Sequence, residues 1–214
     1  MESKMIFAQL PDVILPWYQQ YKRTLPWRED RDPYHIWLSE IMLQQTRVEA
    51  VKGYYDRFLK AIPGIAALAD ADDALLHKLW EGLGYYSRVR NLKKAAQVIM
   101  EKHDGVFPAA HKDVLALPGI GPYTAGAICS IAFNQPTPAV DGNVLRVAAR
   151  LCNDPTPIDL PAFKAGVQDA LARIYPAQAG DFTRLLWNLA PLYADPTASR
   201  IAQTVHATNF AWDI

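Results

Sequence analysis

"LPGIGPYTAGA", Leu117 to Ala127, decides how this chain folds. Pro118 and Gly119 end one helix, and Pro122 opens the next at a position where its missing N–H costs nothing. Gly119 and Gly121 both permit positive φ, so a tight, exposed turn is predicted between the two helices. Ile120, between the glycines, is the apolar plug that locks them together. Ala125, Gly126 and Ala127 let the second helix approach a neighbour closely. The N–H groups around Gly119, Gly121 and Tyr123 have no acceptor inside a helix, so they can face an anion without help from a basic side chain. The same stretch also describes an ordinary connection between antiparallel helices, and alone it does not separate the two readings.

Composition narrows the setting. The 214 residues, 50% of them hydrophobic, suit one domain or two small interleaved ones with a substantial core. Twenty-two Lys and Arg balance twenty-two Asp and Glu. A net charge of zero counts against a nucleic-acid binder that relies on a basic surplus, but not against one that uses a local patch or a backbone device. The N-terminal "MESKMIFAQLPD" reaches Asp12 before any long apolar run, so neither a signal peptide nor a membrane span is expected, and the expected location is cytoplasmic. Cys129 and Cys152 lack metal-type spacing and read as buried thiols of a reducing compartment.

Apolar residues recur at helical spacing nearly throughout, and no alternating strand pattern stands out, so the fold class is all-α. A first helix is predicted over about Leu10 to Lys22, kinked at or starting from Pro16, followed by the extended "LPWREDRDP" (Leu25 to Pro33). Tyr34 to Gln45 reads as a very apolar helix. Thr46 and Glu49 form a capping-box pattern opening another, to about Leu59. Further helices are predicted at Ile65–Leu68, Asp73–Trp80, Ser87–His103, Asp113–Leu117, Pro122–Phe133, Gly142–Leu151, Pro161–Ile174 and Gly180–Tyr193. Asp195 and Pro196 open a last one, to about Ala207.

Several stretches then act together. "LPWR" (Leu25–Arg28), "WLSEIMLQQTRVE" (Trp37–Glu49), "WEGLGYYSRVRNL" (Trp80–Leu92), the hairpin and "VDGNVLRV" (Val140–Val147) resemble the helix-hairpin-helix DNA glycosylases. They are most similar to the catalytic domains of the MutY-type adenine glycosylases. The resemblance is strong from about Leu25 to Leu151 and weaker from there to about Tyr193. It implies a two-lobed fold: a six-helix lobe over residues 28–134, and a second lobe from residues 1–27 and 135–214, with the active site in the cleft. It also implies a DNA N-glycosylase of base excision repair, acting as a monomer on adenine mispaired with guanine or 8-oxoguanine in double-stranded DNA, at the nucleoid. The rival readings are a mismatch glycosylase of the same mechanism for thymine or uracil, and a non-catalytic DNA-binding module.

Two carboxylates carry the chemistry. Glu40 is surrounded in sequence by Trp37, Leu38, Ile41, Met42 and Leu43, and a desolvated carboxyl holds its proton towards neutral pH, as a general acid must. The sequence alone fits an exposed Glu equally well; the resemblance makes it the acid that protonates the leaving adenine. Asp141 before Gly142 reads as a helix N-cap, and the resemblance adds the role of stabilising the sugar cation formed as the base leaves. A charge pair at about 4 Å and an effective dielectric near 20 is worth roughly 4 kcal/mol, on the order of a thousandfold in rate. Asn143 matches a residue that orients this Asp and the water. Tyr123 stands where strand-cutting relatives place a lysine, so hydrolysis without an amine adduct is implied, with Tyr123 beside Glu40.

The target base must be flipped out of the duplex. By resemblance Gln44 and Tyr85 wedge into the gap, Gln45 and Thr46 lie near the opposite base, and Gly119, Gly121 and Thr124 meet the backbone of the DNA. Trp27, Arg28 and Arg184 match positions around the adenine pocket, although Arg184 stands where a Glu or Gln is usual. Arg88, Arg90, Lys93 and Lys94 form a basic stripe suited to phosphates or simply a solvated helix face. Most relatives carry four cysteines that bind an iron–sulfur cluster. Here Ala194 stands at the first of those positions and no cysteine follows it, so no cluster, metal or other cofactor is expected. The C-terminal domain that reads 8-oxoguanine in those relatives is likewise not expected in a sequence that stops at Ile214.

Overall fold

The computed structural model describes residues 16–174. Every regular element among them is helical. Residues 16–21 form α1, so Pro16 lies within the described helix. A 3-10 turn, Pro26–Arg28, leads to α2 (Pro33–Met42), α3 (Val48–Ala61), α4 (Ile65–Asp70), α5 (Asp73–Trp80) and α6 (Ser87–Lys102). Then come α7 (His111–Leu115), α8 (Pro122–Phe133), α9 (Gly142–Leu151) and α10 (Pro161–Ile174). The helices expected over residues 180–193 and 195–207, together with Arg184 and Ala194, lie outside the described residues. No helix among those described is long and apolar enough to cross a membrane.

The chain divides into two compact units, Thr24–Phe133 and Met1–Arg23 with Asn134–Ile214. In the Thr24–Phe133 unit, α2 is the central helix because its sequence is apolar on nearly every side. Tyr34, Ile36, Trp37, Leu38, Ser39, Ile41 and Met42 are all buried. It packs against α8, where Ala125, Gly126 and Ala127 are buried and small enough for close approach. Aromatic edges fill the remaining space: Trp37 meets Phe107 at 5.5 Å between ring centres, and Phe58 meets Trp80 at 6.0 Å. The buried Tyr34 hydroxyl donates to the Ile62 carbonyl at 2.8 Å, so no polar atom is stranded there.

In the other unit, α9 lays Val144, Leu145, Val147 and Ala148 against Tyr18 of α1 and Val167 and Leu171 of α10. Its amphipathic spacing buries one face and leaves Arg146 and Arg150 outside.

Two local expectations fail. The helix predicted to run to Gln45 stops at Met42, because Gln45 adopts a left-handed φ of 57° and the freed carbonyls are taken by a side chain from α6, described below. The capping box at Thr46 and Glu49 does not form. Arg47 is the N-cap of α3 and makes no side-chain cap bond. Thr46 instead donates backwards to the Gln44 carbonyl at 3.4 Å, and Glu49 pairs with Lys52 at 2.8 Å. The helix starts one residue later than that pattern requires, with Arg47 and not Thr46 at the N-cap.

Candidate active site

α7 and α8 form a helix–hairpin–helix turn. Ile120 is buried between two exposed glycines, as an apolar plug should be. The glycines are not equivalent. Gly119 has φ +78°, and a Cβ on it would lie 2.7 Å from the Asn91 Cβ of α6, so glycine is required by both backbone and packing. Gly121, free to take positive φ, does not take it, and a Cβ there would meet nothing within 4 Å. Its lack of a side chain serves no contact inside the chain and leaves the turn open to something outside it. Thr124 was expected to meet DNA, but its side chain is buried.

Glu40 projects from the last turn of α2 and is half-buried, with its Oε2 atom shielded from solvent. Tyr123, also half-buried, sits in the first turn of α8, the helix packed on α2. On the approach to α2, Trp27 is 3% exposed and packs edge to face on Tyr55 at 5.5 Å, while Arg28 beside it is half-buried.

In the other unit, Asp141 caps α9. Its Oδ1 accepts from the backbone N–H groups of Asn143 and Val144 at 2.9 and 2.8 Å, and its Oδ2 accepts from the Asn143 side-chain amide at 3.0 Å. Three donors on two oxygens fix the carboxylate in one orientation. Arg146, which the sequence reading did not single out, donates to the Asn143 Oδ1 and so fixes which way that amide points. Its spacing, three residues after Asn143 on one helix, was the available signal. Gly142 admits this guanidinium: a Cβ there would lie 3.3 Å from its Nη1.

The turns after α2 and before α6 carry the wedge candidates. Tyr85 is 64% exposed, with φ 46°, while Gln44 and Thr46 are half-buried and Gln45 is exposed. The basic stripe on α6 needs correction. Arg88 is only 8% exposed and spends its guanidinium on backbone carbonyls, so it is not a phosphate contact. Lys93 is paired with Asp73 at 2.6 Å, which holds that carboxyl below its ordinary range. Arg90 and Lys94 remain exposed. Of the cysteines, Cys129 is buried in α8, where burial pushes its thiol up to about 11, and Cys152 is the C-cap of α9. Among the described residues no group of three or more His, Cys, Asp or Glu is placed to hold a metal ion.

Described elements that are all helical, with a glycine-bearing helix–hairpin–helix turn among them, are the class that fold and site define. The chain belongs to the HhH-GPD superfamily of base excision DNA repair proteins, whose sequence profile matches residues 38–161. Curated relatives named adenine DNA glycosylase include one from Buchnera aphidicola, 46% identical over 149 residues, covering 69% of this chain and 42% of the relative. Those from Mus musculus and Homo sapiens are both 40% identical; they cover 89% and 86% of this chain, and 40% and 35% of their own lengths. The chain thus spans about two-fifths of the relatives it matches. Among solved structures, a thermostable thymine-DNA glycosylase superposes with a TM-score of 0.77 at 26% identity, over 92% of this chain and 89% of that one. A trapped endonuclease III–DNA covalent intermediate shares the fold, with a TM-score of 0.71 at 19% identity over 91% and 90%.

Proposed function

We propose that this chain hydrolyses the N-glycosidic bond of adenine mispaired with guanine or 8-oxoguanine, acting as a monomer on double-stranded DNA. The observation that carries the reading is the 40–46% identity to adenine DNA glycosylases across most of this chain, with Glu40 and Asp141 both present. Glu40 is the general acid. It delivers a proton to the leaving adenine as the bond to the sugar breaks and the electron pair departs with the base. Asp141, held in place by three donors, stabilises the sugar cation, and Asn143 orients both Asp141 and the water that adds to the sugar. Tyr123 positions Glu40. Because residue 123 is a tyrosine and not a lysine, the reaction passes through no amine adduct there.

Gln44 and Tyr85 enter the stack as the adenine swings out, with Gln45 and Thr46 near the opposite base, and the backbone at Gly119 and Gly121 takes a phosphate. Trp27 backs the base pocket and Arg28 lines it; Arg184, which matches a further pocket position by resemblance, lies outside the described residues. The chain works in this reading without an iron–sulfur cluster. Two cysteines, one in each unit, are not the donor set such a cluster takes.

The superposition on a thymine-DNA glycosylase supports a second reading, excision of thymine or uracil from mismatches by the same two carboxylates. A panel of mismatched duplexes under single-turnover conditions separates the two. Adenine released opposite guanine and 8-oxoguanine, with no borohydride-trapped protein–DNA adduct, is the expected result. Release of thymine or uracil with adenine untouched would replace the substrate, and an adduct at residue 123 would overturn the hydrolytic route.

A further inference from the structure

Among the described residues Arg88 is the only buried charged residue, and no carboxylate is paired with it there. An isolated buried charge is costly, so something must offset it. Backbone carbonyls do. Nη1 donates to Ile41, Met42 and Gln44 at 3.0, 3.2 and 2.5 Å, and Nη2 donates to Leu83 and Gly84 at 2.8 and 3.2 Å. One nitrogen of the fork therefore closes the frayed end of α2, and the other closes the turn before α6. The guanidinium also lies over the Trp80 ring at 5.4 Å and the Tyr85 ring at 5.8 Å, and the Trp80 indole N–H donates to the same Gly84 carbonyl at 3.1 Å. Burial pulls the guanidinium pKa below its ordinary value.

These two turns carry the wedge candidates, and each holds a non-glycine residue in the left-handed region, Gln45 at 57° and Tyr85 at 46°. Such conformations persist only where the surroundings over-determine them. We propose that Arg88 is a positioning residue that clasps the turn bearing Gln44 and Gln45 to the turn bearing Tyr85, so that both enter the duplex as one rigid unit. It rests on the reading that these side chains wedge into DNA. Arg88 itself touches no DNA. A lysine does not replace it, because all its donors sit on one nitrogen, whereas the planar fork sets two nitrogens apart, one at each turn.

The test is a pair of double-mutant cycles, Arg88→Lys with Tyr85→Ala and Gln44→Ala with Tyr85→Ala, with two readouts. Fluorescence of 2-aminopurine placed at the mismatch reports unstacking without chemistry, and single-turnover release of adenine reports the reaction. Arg88→Lys is expected to lower both by about tenfold while affinity for a fully paired duplex changes by less than about twofold. In each cycle the double variant should be no worse than the worse single one. Multiplying effects would overturn the clasp, as would an Arg88→Lys protein whose only loss is a uniform drop in duplex affinity. If Arg88→Lys does not fold, the second cycle, which leaves Arg88 intact, still decides: additivity between Gln44 and Tyr85 contradicts a shared unit. A wild-type protein that unstacks 2-aminopurine but releases no base would sink the glycosylase reading and leave the clasp to the fluorescence. One that does neither would sink both.

Discussion

The hairpin at Gly119–Pro122 and the two turns around Gln45 and Tyr85 hold exposed backbone in opposite ways. The hairpin is self-contained. Its shape comes from residues adjacent in sequence, a left-handed Gly119, a buried Ile120 and a proline at the start of α8. The paired turns are not self-contained, because their left-handed residues are Gln45 and Tyr85, and a buried arginine from α6 bonds both. In neither place does a cation need to face outward to shape the surface. In the proposed reading, a chain of zero net charge thereby presents backbone to a phosphate on one loop and side chains to a base stack on others. α6 borders both places, but only Arg88 bonds a turn, while Asn91, one turn later, merely abuts Gly119.

If the paired turns depend on one cation, removing it should cost more than any change within the hairpin. Arg88→Met takes the guanidinium donor away from five carbonyl oxygens and should lower stability by about 2–4 kcal/mol in urea denaturation. A loss under about 0.5 kcal/mol would mean that water replaces the guanidinium and that the turns hold themselves. Gly119→Ala forces a side chain into positive φ and against Asn91, and a loss of about 1–3 kcal/mol is expected in the same assay. Gly121→Ala meets neither obstacle, so stability should stay within about 0.5 kcal/mol of wild type. Affinity for duplex DNA, at one fixed salt concentration, should still fall by about 5- to 10-fold as the methyl group keeps a phosphate from the backbone. Equal effects of the two alanines on stability would erase the distinction between the glycine that fits the protein and the glycine that leaves room for a ligand.

What could be read from sequence follows the same division. The hairpin and the cap at Asp141 are written in neighbouring residues, and that aspartate does accept from first-turn N–H groups. The stop of α2 at Met42 was not legible, because its cause lies more than forty residues downstream in Arg88. Arg88 was read as part of a basic stripe for the same reason: periodicity places it on α6 but does not say that the turn after α2 folds over it. Thr46 and Glu49 carried a correct capping pattern that the left-handed Gln45 overrode. Lys93 looked available for phosphate until Asp73, twenty residues earlier, proved to be its partner. Arg146 was within reach of the sequence, since Asn143 lies one turn before it, but that Asn143 accepts from it and donates to Asp141 is a fact of geometry.

The account stands most directly on Glu40 as the proton donor, and Glu40→Gln tests it, since the amide keeps the shape and removes the acid. The measurement is single-turnover release of adenine opposite 8-oxoguanine, with the dissociation constant for the same duplex taken in parallel. Loss of a positioned acid is worth about 10²- to 10⁴-fold in rate, so release should fall at least that far while the dissociation constant stays within a few-fold. A variant that releases adenine within a few-fold of the wild-type rate would show that Glu40 is not the acid.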